Sequence, residues 1–152
     1  MAPWARNRRT NTLPDTAHPK PLPIITEENR PFWEGCKRGK LLLQYCDACK
    51  QYQFYPRLYC MRCGAQNLRW VDASGRGVVY SYTIIRQNKS PEFRDDVPYN
   101  VAIIQLEEGP RMLSNVIDIA LGDVRVDLPV TVVFEPVSDE ISLPRFRPRI
   151  KM

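Results

Sequence analysis

Four of the chain's five cysteines fall within residues 45–64, as Cys46-x2-Cys49 and Cys60-x2-Cys63. Each CxxC turn aims two sulfurs and several backbone amides at one point, and two such turns close a tetrahedron. Tetrahedral four-sulfur coordination suits zinc, with Zn–S distances near ~2.3 Å. Iron fits the same sulfurs, as in a rubredoxin centre, and that electron-transfer alternative is separable by colour. A β-rich region follows the knuckles, and no flavin, haem or nicotinamide motif accompanies them, so structural zinc is the stronger reading. A closed four-sulfur site keeps no open position and cannot activate water. Its role is to hold together a short segment that cannot bury enough surface to fold alone.

A chain of 152 residues, 43% apolar, has room for one core or for two small modules sharing a seam. No apolar run approaches the roughly 18 residues needed to span a bilayer. The Arg8-Arg9 pair is followed by no apolar stretch, which excludes a twin-arginine signal; the expected location is cytoplasmic. In that compartment paired CxxC motifs serve metals rather than disulfides. The net charge of +5 is carried by the ends. Residues 1–23 hold +3 and residues 145–152 hold +4, so residues 24–144 are mildly acidic at −2. That distribution weakens the case for a nucleic-acid groove.

The chain divides into a Pro-containing arm (1–23), an N-terminal helical segment (24–40), the zinc ribbon (41–70), a barrel (71–144) and a basic tail (145–152). Thr26 can cap the helix, but Pro31 favours a start nearer residue 30. Phe32, Trp33 and Cys36 share one helical face, which reads as core packing, and Gly39 supplies a stop. Beyond the cysteines, "LRWVDASGRGVVYSYTIIRQ" reads as a strand, a turn and a long alternating strand over 78–87. A hairpin follows over 99–106 and 112–119, then a strand over 130–134. This makes a mainly β chain ending in a small five-stranded barrel of the OB type. Residues 88–98 form its one long irregular loop, and such loops are commonly functional.

Nothing in the chain reads as catalytic by itself. Cys36 is a buried small hydrophobe rather than a nucleophile. The sole histidine, His18, lies in the arm with no catalytic neighbour, which leaves Ser-His or Cys-His chemistry without a base. Asp95-Asp96 and Glu107-Glu108 read as solvated surface pairs, and no phosphate loop or dinucleotide fingerprint is present.

The stretches "FWEGCKRGKLLLQYCDACKQYQFYPRLYCMRCG", "SGRGVVYSYT", "VPYNVAIIQLEEGPRMLSNVID" and "LPRFRP" resemble the DUF35 family over residues 24–148. The resemblance implies an N-terminal helix, a rubredoxin-like zinc ribbon and a C-terminal OB-fold, with Cys46, Cys49, Cys60 and Cys63 as the metal ligands. It further implies an accessory subunit of a thiolase-superfamily enzyme, with acyl-CoA as ligand of the complex and the catalytic residues on the partner. Asp127 stands where the family often carries glycine before a barrel strand, and the arm has no dependable family counterpart. On this reading the 88–98 loop helps cover an acyl-CoA passage, with Tyr82, Phe93, Pro98 and Tyr99 as contact residues. The rival is a single-stranded nucleic-acid module in which Tyr80, Tyr82, Arg86 and Lys89 form the binding face.

Overall fold

A computed structural model describes residues 19–149. Helix α1 spans Arg30–Lys37, with Asn29 as N-cap and Pro31 in the first turn, where its missing N–H costs no helical hydrogen bond. The Thr26 carbonyl accepts from the Asn29 and Arg30 N–H groups, so Thr26 closes the turn before the helix rather than capping it. The helix ends with Lys40 N–H donating to the Gly35 carbonyl at 2.9 Å.

Three short strands follow: β1 (Leu42–Cys46), β2 (Gln51–Gln53) and β3 (Leu68–Asp72), in the antiparallel order β2-β1-β3. Then come β4 (Arg76–Ile85), β5 (Tyr99–Leu106), β6 (Arg111–Ser114), β7 (Pro129–Pro136) and β8 (Ser142–Pro148), in the order β6-β5-β4-β7-β8. This sheet curls until Val116, just past β6, bridges Phe146 of β8 in parallel. The closure is held by Phe146 N–H to the Asn115 carbonyl at 3.0 Å and Ile117 N–H to the Phe146 carbonyl at 2.7 Å. A five-stranded curled sheet with this closure is an OB-fold.

The strand membership differs from the sequence reading in two places. Leu68–Asp72, which the expected boundary at residue 70 divided between ribbon and barrel, pairs along its whole length with β1 and completes the ribbon sheet. The fifth barrel strand is β8, which includes Arg145 and Arg147 of the expected tail. Two prolines and two arginines disguise it, yet an edge strand tolerates proline where the missing N–H faces away from the ladder.

Strand β4 bends at a bulge between Val79 and Ser81, with Tyr80 unpaired. The chain leading into β7 answers that bulge: Asp127 N–H donates to the Val79 carbonyl at 2.8 Å, and Val79 N–H to the Leu128 carbonyl at 3.0 Å. Asp127 has φ 63. Aspartate is among the few non-glycine residues that tolerate the left-handed region, so it can replace glycine here with the turn intact.

One core joins the elements. Phe32 and Cys36 of α1 pack with Leu41 and Leu43 beside the ribbon and with Val79, Ile104, Val130 and Phe146 of the barrel. Burial of each large apolar side chain contributes about 1.5–3 kcal/mol, so the helix makes ribbon and barrel a single packing unit. Cys36 is 1% exposed, and burial pushes its thiol up to about 12. Among the described residues, no helix is long and apolar enough to cross a membrane.

Candidate metal centre and neighbouring clefts

The two knuckles are built alike. In the first, Lys50 N–H donates to the Cys46 carbonyl at 2.9 Å; in the second, Gly64 N–H donates to the Cys60 carbonyl at the same distance. Strand β1 delivers Cys46 to its own C-terminal end, and the hairpin into β2 carries Cys49. The second knuckle hangs on a loop outside the sheet, and two glutamines hold that loop in place. Gln44, buried in β1, accepts from Arg57 N–H at 2.8 Å and donates to the Arg57 carbonyl at 2.8 Å. Gln53, opposite it on β2, accepts from Met61 N–H at 2.9 Å and donates to Gln44 Oε1 at 2.8 Å.

The four sulfurs consequently converge, all within 4.8 Å of one another. Cys46 Sγ lies 3.6 Å from Cys63 Sγ, and Cys49 Sγ lies 3.6 Å from Cys60 Sγ. A tetrahedron with ~2.3 Å metal–sulfur bonds has edges of about 3.8 Å, so the donor set and its spacing fit a four-thiolate metal. Backbone N–H groups of Cys63 and Arg62 lower the Cys60 thiol to about 6, with Arg62 N–H 3.4 Å from the sulfur. The cluster thus contains one sulfur predisposed to the thiolate form that binds metal. Burial, followed by the neighbouring sulfurs, raises Cys49 to about 12; this opposing pressure is what a cation among the sulfurs relieves.

A cleft of about 650 Å³ lies between α1, the ribbon loop and the barrel. Phe32, Trp33 and Phe54 form an aromatic wall, with Phe32–Trp33 centroids 5.0 Å apart and Phe32–Phe54 5.4 Å apart. Leu113, Leu143 and Pro144 of the barrel also line it. A second cleft, about 470 Å³, sits beside the 88–98 loop and shares Tyr99, Asn115 and Arg145 with the first. The shared wall is braced: Arg145 pairs with Glu135 at 2.8 Å and bonds the Asn115 side chain, while buried Asn100 spans Val116 through both its amide groups.

Of the residues expected at a contact surface, Phe93, Pro98 and Tyr99 line the second cleft together. Tyr82 does not line it; it stands exposed on β4 opposite Ala102. Lys20, from the arm, reaches the same cleft and pairs with Asp96 at 2.6 Å. His18 lies outside the described residues. Tyr80, part of the rival nucleic-acid face, already carries the Arg111 guanidinium 3.6 Å from its ring centroid, which occupies one stacking surface. Sequence reading missed the Gln44–Gln53 clamp and the larger cleft. Alternation along β1 could have flagged a glutamine at an inward position, but nothing local indicates its partner Arg57, thirteen residues downstream.

Two family models match in tandem: the ChsH2 rubredoxin-like zinc ribbon domain over residues 33–69, and the ChsH2 C-terminal OB-fold domain over residues 70–135. The chain is 34% identical to a probable enoyl-CoA hydratase alpha subunit of Thermomonospora curvata over 86% of its own length, but spans only 40% of that relative. It is 32% identical to a DUF35 domain-containing scaffold protein of Methanothermobacter thermautotrophicus, covering 77% of this chain and 88% of the relative. Among solved structures it resembles the Ltp2-ChsH2(DUF35) aldolase, with TM-score 0.75, 34% identity, and coverage of 85% of this chain and 100% of that one.

Proposed function

Because the chain belongs to the DUF35 family, we propose that it is a zinc-binding accessory subunit of a thiolase-type acyl-CoA enzyme complex and does not itself catalyse. One observation carries this reading: similarity extends over the whole of a chain solved in an aldolase complex, ribbon and barrel together. The tandem order of the two matched domains and the relatives' names as hydratase subunits support it. Cys46, Cys49, Cys60 and Cys63 would hold the zinc, which supplies a structural cross-link between the two knuckles. All five cysteines then have structural roles, four at the metal and Cys36 in the core. A catalytic nucleophile is left to the partner, a division of labour that suits a cytoplasmic hetero-oligomer.

Within the complex, the 88–98 loop and the second cleft contribute to the passage for the acyl-CoA. Phe93 and Tyr99 offer rigid apolar surface there. Lys20 and Arg145 are the cations that line that cleft, and Asp96 and Glu135 already pair with them. The decisive experiment is purification of the tagged protein from its native host at moderate salt, with mass spectrometry of co-purifying chains. A near-stoichiometric thiolase-superfamily subunit establishes the reading; nucleic acid with no acyl-CoA enzyme overturns it in favour of the binding-module rival. For the loop, Phe93→Ala should lower turnover of the complex with zinc content and subunit association intact. Unchanged kinetics would remove the loop from the acyl-CoA passage.

A further inference from the structure

We propose that the ribbon loop from the end of β2 through the second knuckle, with the adjoining edge of the β5–β6 hairpin, is the surface on which the catalytic subunit docks; this rests on the accessory-subunit reading above. The loop displays Leu58 at 72% exposure and Met61 at 65%, with Tyr55 and Tyr59 each at 52%, and β6 contributes Leu113 at 56%. Scattered exposed hydrophobics are ordinary, but a concentrated group of them marks an interaction site. The group is concentrated here because the loop lies along the hairpin. Tyr55 and Leu113 line the same cleft, while Met61 shares a hollow of about 320 Å³ with Pro110.

Three further observations point to a protein partner. Tyrosine, methionine and arginine are the residue types enriched at interface centres, and this loop carries Tyr55, Arg57, Tyr59, Met61 and Arg62. The loop is also held in advance by the Gln44–Gln53 clamp at Arg57 and Met61, which reduces the ordering cost of association. A small ligand in the cleft would leave Leu58 and Met61 in water, since neither lines it; a protein surface covers them. Charge defines the partner's side. Residues 54–64 contain no acid, and neither Arg57 nor Arg62 forms an ion pair among the described residues. The complementary surface is therefore an apolar patch edged by carboxylates. Docking there sets the partner beside the shared wall of the two clefts, next to the loop assigned to acyl-CoA.

The test measures binding of the catalytic subunit, isolated from the wild-type complex, to immobilised variants by interferometry. Leu58→Asp and Arg57→Glu should each weaken binding about tenfold or more, with zinc content and circular dichroism unchanged. Val126→Asp, at a 51%-exposed apolar position outside this surface, should bind as wild type. Equal binding by all variants overturns the docking surface and leaves the accessory role standing. So does a result in which Leu58→Asp dissociates a self-dimer yet binds the catalytic subunit normally. If no thiolase-type subunit associates with the wild-type protein, the accessory reading itself falls.

Discussion

Lys50 and Gly64 occupy the same place in the two knuckles, each directly after the second cysteine of its CxxC, with φ of 58 and 74. Both donate their N–H to the carbonyl of the first cysteine. The left-handed conformation costs a side-chain-bearing residue roughly 1–2 kcal/mol and glycine almost nothing. Lys50→Gly should therefore preserve metal binding and raise stability by about 0.5–1 kcal/mol, allowing for the freer unfolded chain. Gly64→Val should lower it by more than about 1 kcal/mol. Urea denaturation of the zinc-loaded proteins measures both; a destabilised Lys50→Gly would contradict the equivalence.

Gln44 is the buried anchor of the ribbon loop, and its amide meets the Arg57 backbone twice and Gln53 once. Leucine would fill the space but leave those groups unpaired, at about 1–3 kcal/mol for each that stays buried. Gln44→Leu should cost about 2–4 kcal/mol and speed zinc loss to a chromophoric chelator. Wild-type chelation kinetics in this variant would show that the second knuckle holds its position without the clamp.

Thiol reactivity separates the five cysteines. With zinc bound, maleimide should modify none of them rapidly. After chelation, Cys46, Cys49, Cys60 and Cys63 should react, while Cys36 waits for denaturant because it is 1% exposed. Peptide mapping by mass spectrometry reads the order. Early modification of Cys36 would mean that loss of metal also opens the shared core.

Cys36 also makes a pH prediction. Its folded pKa is raised from 9.0 to about 12 by burial, so the folded state keeps a proton that the unfolded state releases between those values. The resulting stabilisation is fully present below pH 9 and is lost as pH rises toward 12, at up to about 1.4 kcal/mol per pH unit. Relative to Cys36→Ala, the wild-type protein should lose stability above pH 9 and run parallel below it. Parallel curves throughout would mean that the thiol ionises freely in the fold.

Gly77 of β4 stands opposite Leu106 of β5. A Cβ there would lie 2.5 Å from the Gln105 carbonyl oxygen, and backbone cannot swing aside as a side chain does. Gly77→Ala should destabilise by about 2 kcal/mol or more, in the range of other overpacking substitutions, with zinc content unchanged. Thermal denaturation checks it, and a neutral result would show that the two strands separate readily at this point.

The features legible from sequence are those whose cause is local. CxxC spacing, a proline at a helix start and alternation along 99–106 each act within a few residues, and they led to the metal centre, α1 and most of the barrel. Asp127 was legible only as a departure; its φ and its bond to Val79 show what the position requires. Strand β8 was hidden because its identity comes from pairing with β7, which supplies the ladder that its prolines and arginines do not suggest.

Sequence alone determined that four sulfurs would meet and that a small β-barrel would follow, because two-residue spacings and period-two alternation are properties of the chain itself. Only the tertiary structure decided that Leu68–Asp72 belongs to the ribbon, that α1 fuses ribbon and barrel through Phe32 and Cys36, and that Arg57, Leu113 and Arg145 border one cleft. Those outcomes depend on burying surfaces that lie far apart along the chain, and the free energy of that burial is set by which faces meet.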